Sequence, residues 1–444
     1  MIDISPQAVI ILMFGGLFIG ALLGYPLALV IGGVAMFVGF VAIGESVFDI
    51  FQMRIFALLT NYTLLAAPLF ILMGVMVERT GIAERLYDGL YIWFGGIRGG
   101  LAIATILMGV VLSACVGIIA ASIIMLGLIA SPSMIKRGYD TKLVSGTVCA
   151  AGCLGILIPP SVMLIFYGPM ANLSVGELLM GAFLPGLLLS GLYILYIGVI
   201  SLINPRIAPP VPREERDIPF LKKFKILITS MLPPIILISA ILGSIFFGIA
   251  APTEAAAVGA LAATLMAAAY RKLTFKVLSE AAVYTLKIIS MALFIGVCAS
   301  MFTAVFLKLG GGTEISRLLT SVPGGKWGTL AAIMFIVFLL GMVIDWIGIL
   351  FIVIPIVTPI GELLGFDPIW FALMICINLQ TSFMSPPFAP AIFFYKSIVK
   401  PEWNISTADI IRGVIPFIIL VVIGITLCIV FPSIITWLPE HMIK

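Results

Sequence analysis

The stretch GILIPPSVMLIFYG, residues 155–168, sits inside a 34-residue run, 143–176, that contains no charged side chain. That length predicts a membrane-spanning helix, because about 20 apolar residues cross a hydrocarbon core of roughly 30 Å. Two adjacent prolines, Pro159 and Pro160, fall near the middle of the run. Each lacks a backbone N–H and crowds the carbonyl four residues back, so a regular helix cannot pass through them. Carbonyls freed at membrane depth find no water. Broken backbone is tolerated there only where it is buried in protein or lines a cavity. The proline pair therefore points to a site, and the rest of the chain decides which kind.

Of the 444 residues, 62% are hydrophobic and 10% charged, against about a quarter charged in soluble domains. The mean hydropathy is +1.27. This composition predicts an all-α polytopic membrane protein; strict alternation, the mark of an outer-membrane barrel, is absent. The apolar segment 6–23 lacks the basic leader of a signal peptide, since the first Lys or Arg is Arg54. It is read as a retained helix with its N-terminus outside. All six cysteines lie in apolar segments, where a thiol packs as a small hydrophobe. His441 is the single histidine, which argues against metal hydrolysis and against Cys–His or Ser–His–Asp chemistry. No Walker-type phosphate loop occurs, and a net charge of +4 does not point to nucleic acid. The partner that composition does imply is the lipid bilayer.

Spans are predicted near 8–24, 26–45, 55–77, 143–168, 176–203, 226–249, 253–270, 281–307, 369–395 and 411–437. Two further apolar runs, 99–135 and 327–361, do not fit. As a single helix the first would be about 55 Å long, too long for one crossing and too short for two. Both are read as re-entrant hairpins that enter and leave by one face. With the N-terminus outside, the inner loops 78–98, 136–142, 204–225, 271–287 and 396–412 hold 19 of the 24 Lys and Arg residues, as the positive-inside rule requires. Arg54, Lys308, Arg317, Lys326 and Lys444 are left outside. Reading either hairpin as a crossing would invert every later loop.

Each half then has five crossings and one hairpin, an odd number, so residues 1–203 and 226–437 run in opposite orientations, joined by the charged cytoplasmic linker 204–225. The halves echo one another at a constant offset of 227 residues. Pro132, Gly138, Asp140, Cys149, Pro159, Pro160, Ile165 and Phe166 map onto Pro359, Gly365, Asp367, Cys376, Pro386, Pro387, Ile392 and Phe393. Inverted repeats with helices broken at matching places characterise secondary transporters.

The two breaks, 149–161 and 377–390, are accordingly expected to be unwound near the midplane, where free carbonyls bind a cation and half-helix N–H groups bind an anion. Gly152 and Gly155 permit close backbone approach. Ser161, Gln380, Thr381, Ser382 and Ser385 offer neutral donors and acceptors; the bland alternative for each Ser or Thr is a bond back to its own helix. The hairpin tips should face the breaks: LSACVG (112–117) with Ser113, and GMVIDWIG (341–348) with Asp345. A carboxylate at membrane depth is costly and usually functional; it can ligate a cation, carry a proton, or simply cap a helix. Thr253 and Glu254 are read as capping a helix start.

The stretches NYTLLAAPLFILMG (61–74), KRGYD (136–140), GCLGILIPPS (152–161), APTEAAAVGA (251–260) and MSPPFAPAIFFYK (384–396) together resemble the large membrane subunit (DctM-type) of tripartite ATP-independent periplasmic, or TRAP, transporters. The resemblance implies an elevator transporter of the ion-transporter superfamily in a bacterial inner membrane, with both termini periplasmic. It implies a fixed scaffold, and a sliding domain made of the hairpins and broken helices. No cofactor is implied; Na⁺ is the coupling ion. The implied partners are a periplasmic substrate-binding protein, a small four-helix (DctQ-type) subunit and a small organic anion. Na⁺ ligation would fall on Ser113 and the carbonyls around Gly152, Gly155 and Pro159 at one site, and on Gly341, Asp345, Thr381 and Met384 at the other. Substrate would lie near Ser161, Gln380, Ser382 and Ser385. Val116 and Ile118 stand where many relatives carry serines, and Cys153 where threonine is common, leaving more of the first site to backbone. The wording of the second tip and break is similar to relatives handling keto or hydroxy monocarboxylates. Alternatives from other classes are a proton-coupled carrier of the same fold, an intramembrane enzyme and a channel. No Arg falls within the expected site, so nothing cationic is yet assigned to a carboxylate.

Overall fold

The computed structural model describes residues 4–212, 214 and 219–443; the side chains of Ser113, Cys115, Val116 and Phe220 lie outside the described residues, as does part of the expected linker. The first half comprises α1 (Pro6–Leu22), α2 (Leu27–Ile43), α3 (Ser46–Leu59), α4 (Ala66–Arg79), α5 (Ile82–Phe94), α6 (Gly100–Val116), α7 (Ile119–Lys136), α8 (Thr141–Cys153), α9 (Val162–Ala171) and α10 (Val175–Ile203). The second comprises α11 (Phe220–Phe246), α12 (Pro252–Ala269), α13 (Phe275–Lys308), α14 (Gly311–Thr320), α15 (Gly325–Gly341), α16 (Trp346–Ile352), α17 (Ile354–Leu363), α18 (Pro368–Met384), α19 (Pro390–Ile398), α20 (Thr407–Val430) and α21 (Ser433–Glu440). No strand occurs among the described residues. Seven helical segments among them are long and apolar enough to cross a membrane, or eight if α16 and α17 form one bent span.

Several boundaries follow from local chemistry. The echoed Gly-x-Asp motif is a stop followed by a start. Gly138 (φ +76°) and Gly365 (φ +71°) adopt the left-handed turn that ends a helix. Two residues on, Asp140 accepts from the N–H of Lys142 at 2.8 Å, and Asp367 from that of Trp370 at 2.7 Å, capping α8 and α18. Glu254 accepts from the Ala251 N–H at 2.9 Å, so the expected cap of α12 is present. On a connection between spans, the Glu314 carboxyl is held below its usual range by the amide of Gln7, then by Arg317, and so ties α1 to α14.

The expected span 55–77 is wrong as drawn. The amphipathic α3 ends at Leu59, Asn61 accepts from Thr63 N–H to start a short 3-10 turn, and α4 begins only at Ala66. The polar residues Asp49, Gln52 and Arg54 spread along α3 and keep it from acting as part of a span. Likewise 78–98 is not simply a loop, since it contains α5.

The helix pair α6–α7 packs on α8, and α15 packs on α18. The outer arm of the second pair bends by 54° between α16 and α17. Pro355 deprives the Phe351 carbonyl of its helical donor, and Thr303 Oγ1 on α13 supplies one at 2.9 Å. The halves also interlock. The arm α7 lies against α19, where Ser131 Oγ and Tyr395 OH are 3.0 Å apart, while α16 lies against α9, where the rings of Trp346 and Phe166 are 6.3 Å apart.

Candidate functional site

The first break is shorter than expected. The helix α8 continues to Cys153, a 3-10 turn spans Leu154–Ile156, and α9 starts at Val162. The N–H groups of Leu157 and Ile158 both return to the Leu154 carbonyl, at 3.0 and 2.9 Å. Because residues 159 and 160 are prolines, the carbonyls of Gly155 and Ile156 have no donor four residues on. Ser161 Oγ donates to Ile156 O. Gly155 O receives no such help, which keeps it available as an oxygen ligand. Every residue from 143 to 168 is buried. Gly152 is not unwound: it packs α8 on α7, and a Cβ there would fall 2.2 Å from Ile123 Cγ1.

The second break is also shorter than 377–390. The helix α18 runs through Met384, so Gln380, Thr381 and Ser382 are helical, and only 385–389 is non-helical. The reason is that proline removes its own donor and nothing earlier, so the chain stays helical up to the last residue with a usable N–H. Ser385 N–H turns back to Ser382 O at 3.1 Å, and Phe388 N–H leaves the segment for Met342 O at 3.2 Å. Met384 O therefore loses its helical donor, as its place in the expected cation set requires. Both proline pairs contain a cis peptide bond.

The hairpin tips do meet the breaks. Gly117 (φ +64°) turns the first tip, and a Cβ there would lie 3.2 Å from Val162 Cγ2 and 3.5 Å from Pro160 O. The side chain of Ser113 lies outside the described residues. At the second tip a Cβ on Gly341 would lie 2.6 Å from Ser382 Cβ. Asp345 occupies the N-cap position of α16, with the backbone N–H groups of Trp346 and Ile347 as donors beside its carboxylate.

The hydroxyls expected near substrate divide by use. Thr381 Oγ1 donates to Asn378 O at 2.6 Å and Ser385 Oγ to Thr381 O at 2.8 Å, the local back-bonds that Ser and Thr favour. Ser382 Oγ donates to Phe338 O at 3.1 Å and Asn378 Nδ2 to Met334 O at 2.7 Å, one turn apart, stapling α18 to the hairpin. Asn378 was missed from sequence, although an amide in a charge-free helix was the available signal. Gln380 is fully buried and neither Nε2 nor Oε1 has a partner; Tyr167 OH and Thr358 Oγ1 are buried beside one another. A buried unpaired amide costs about 1–3 kcal/mol, so Gln380 is the side chain here that most needs a ligand. The oxygen set around the breaks suits a hard cation, with backbone carbonyls and Asp345 as donors. Among the described residues no three His, Cys, Asp or Glu side chains cluster as a metal site.

The family described as “Tripartite ATP-independent periplasmic transporter, DctM component” matches residues 10–434. The chain belongs to that family. This large permease subunit is similar to the C4-dicarboxylate TRAP transporter large permease DctM of Pseudomonas aeruginosa, 29% identical over 88% of this chain and 89% of that one. It is similar to the ectoine TRAP transporter large permease TeaC of Halomonas elongata, 28% identical over 94% and 96%. It also resembles the sialic acid TRAP transporter permease SiaT of Haemophilus influenzae, 28% identical over 87% of this chain and 61% of SiaT. In fold it matches the Alcanivorax borkumensis YdaH transporter with TM-score 0.63, 16% identity and coverage of 88% and 90%. The permease is thus a multi-pass membrane protein of a transporter family whose members are named for chemically different solutes.

Proposed function

We propose that this permease imports a small organic anion across a bacterial inner membrane, driven by Na⁺, with both termini periplasmic. Substrate arrives on a periplasmic binding protein, and a small four-helix subunit completes the assembly. Residues 1–203 and 226–437 act as inverted repeats. Helix starts at 100, 119, 141 and 162 have counterparts at 325, 346, 368 and 390, each within two residues of the 227-residue offset, which supports that division.

One observation carries the reading. Each proline break has a hairpin tip seated on it, and one tip carries a carboxylate, Asp345, at a helix start within an apolar run. Asp345, with carbonyls of Gly341 and Met384, would hold one Na⁺; the carbonyls of Gly155 and Pro159, with Ser113, would hold another. Gln380 and Ser161 would meet the anion, while Ser382 and Ser385 shape the wall. The hairpins and broken helices slide as one body past the remaining helices. The wording of the second tip and break favours a keto or hydroxy monocarboxylate as the substrate class; the relatives above are named for other solutes, a dicarboxylate, ectoine and sialic acid.

Proteoliposomes holding the permease, the small subunit and loaded binding protein should take up solute only with an inward Na⁺ gradient. Equal uptake in Na⁺-free buffer under a proton gradient would overturn the coupling and hand Asp345 the role of proton carrier.

A further inference from the structure

We propose that Arg54 anchors a carboxylate-binding vestibule at the outer end of the seam between α3, α13, α9 and α17; the outer assignment rests on the orientation proposed above. A cleft of about 430 Å³ opens there, its lining including Arg54, Asn61, Asn172, Thr358 and Glu362. Its size falls in the range of roughly 300–1,000 Å³ typical of small-ligand sites. Arg54 makes no ion pair among the described residues, and its guanidinium offers the planar fork that matches a carboxylate. Asn61 Oδ1 is already occupied by the Thr63 N–H, which turns its NH₂ toward the role of donor. Thr358 also lines the cleft, its hydroxyl buried beside that of Tyr167. Glu362 brings an opposing charge to the same cleft, so an anion held by Arg54 is weakly bound and readily passed on.

A second cleft sharpens the assignment. It measures about 440 Å³ and is lined by Tyr284, Ile124 and Leu128, which lie 227 residues from Ala57, Phe351 and Pro355 of the first. At that offset Arg54 becomes Ala281 and Glu362 becomes Ile135. Its own cation, Arg79, is paired with Glu280 at 3.2 Å. Two clefts of matching construction therefore differ in charge, and only the one at Arg54 presents an unpaired guanidinium among the described residues.

The test is thermal unfolding of the full chain in neutral detergent and Na⁺-free buffer, titrated with choline pyruvate or choline succinate against choline chloride and choline phosphate. A saturable rise in Tm is expected with at least one carboxylate, since a ligand that binds the folded state stabilises it by mass action. Arg54→Ala should move the midpoint at least about tenfold higher, the scale of one lost charge-assisted bond, with Arg54→Lys intermediate and Glu362→Gln shifting it lower. The unliganded Tm in the same traces reports folding; should Arg54→Ala lower it, Arg54→Lys decides alone. No saturable rise with either carboxylate, an unchanged midpoint in the deciding variant, or an equal rise with phosphate or chloride overturns the vestibule. Because Na⁺ is absent, this result is independent of the coupling measured by uptake.

Discussion

Around Pro159 and Pro160 the chain is sealed: every residue from 143 to 168 is buried and Ser161 returns its hydroxyl to the Ile156 carbonyl four residues before Pro160. Around Pro386 and Pro387 the chain surfaces, with Phe388 56% exposed, and its backbone N–H reaches away to Met342 on the neighbouring hairpin. The same dipeptide stops both helices, because the missing N–H and the ring clash are properties of proline itself. What then takes the freed carbonyls is set by neighbours. The first break satisfies one of its two freed carbonyls, Ile156 O, from within, leaves Gly155 O free, and is buried with the core. The second is tied to its hairpin, so that tip and break move together.

The largest expected effect tests the charge that only the second half carries. In wild type, NaCl should raise Tm relative to choline chloride. Asp345→Asn should need on the order of a hundredfold more Na⁺ for the same rise, the scale of removing one partner from a buried charge pair, and Na⁺-driven uptake should vanish. An unchanged Na⁺ response would remove Asp345 from the cation site and leave the two halves electrostatically alike.

Replacing the prolines separates sealing from tethering. Pro386→Ala with Pro387→Ala restores two donors in an exposed segment, so Tm should hold while uptake falls roughly tenfold, about 1.4 kcal/mol of lost coupling between tip and break. Pro159→Ala with Pro160→Ala restores donors inside a sealed segment: the N–H at 159 finds the free Gly155 carbonyl, whereas the N–H at 160 meets an Ile156 carbonyl already engaged by Ser161. One unmatched buried N–H costs about 1–3 kcal/mol, so this pair should lose stability as well as uptake. Equal Tm changes in the two double variants would erase the distinction.

The parts of this architecture that sequence made legible are those decided within a few residues. Gly138 and Asp140, and Gly365 and Asp367, announce a helix stop and start through φ and a capping oxygen. The proline pairs announce a break through absent donors. The extent of each break was overdrawn, because the small and polar residues before the prolines, Gly152 and Thr381 among them, keep their N–H groups and stay helical. Span 55–77 failed because Asn61 caps a new turn within an apolar run, and hydropathy averaging does not register a cap. Long-range partners were invisible: nothing local says that Ser382 serves Phe338, that Thr303 repairs the bend at Pro355, or that Arg54 comes to face the end of α9.

Gln380→Leu probes the second break from inside. Removing two unpaired buried atoms at nearly constant volume should leave stability unchanged or raise it by up to about 1–3 kcal/mol, while uptake falls because the ligand loses its partner. A rise in Tm with full transport would make Gln380 a tolerated flaw, and a fall in Tm would mean that the amide has a structural partner.

The smallest contrast sets Ser161→Ala against Asn378→Leu. Each deletes one side-chain bond to a carbonyl near a break, but the carbonyls differ. Ile156 has no donor other than Ser161 within its own turn, because Pro160 occupies the position that would supply one, and its surroundings are dry; its loss should cost about 1–3 kcal/mol. Met334 lies inside α15 and can keep its helical bond when Asn378 is gone, so the staple should cost no more than about 1 kcal/mol, the net worth of a typical hydrogen bond. Thermal unfolding of the two variants should therefore show the larger fall for Ser161→Ala, even though serine is the smaller side chain. The reverse order would mean that the first break draws on another donor when Ser161 is lost, and that Ile156 O does not depend on that hydroxyl.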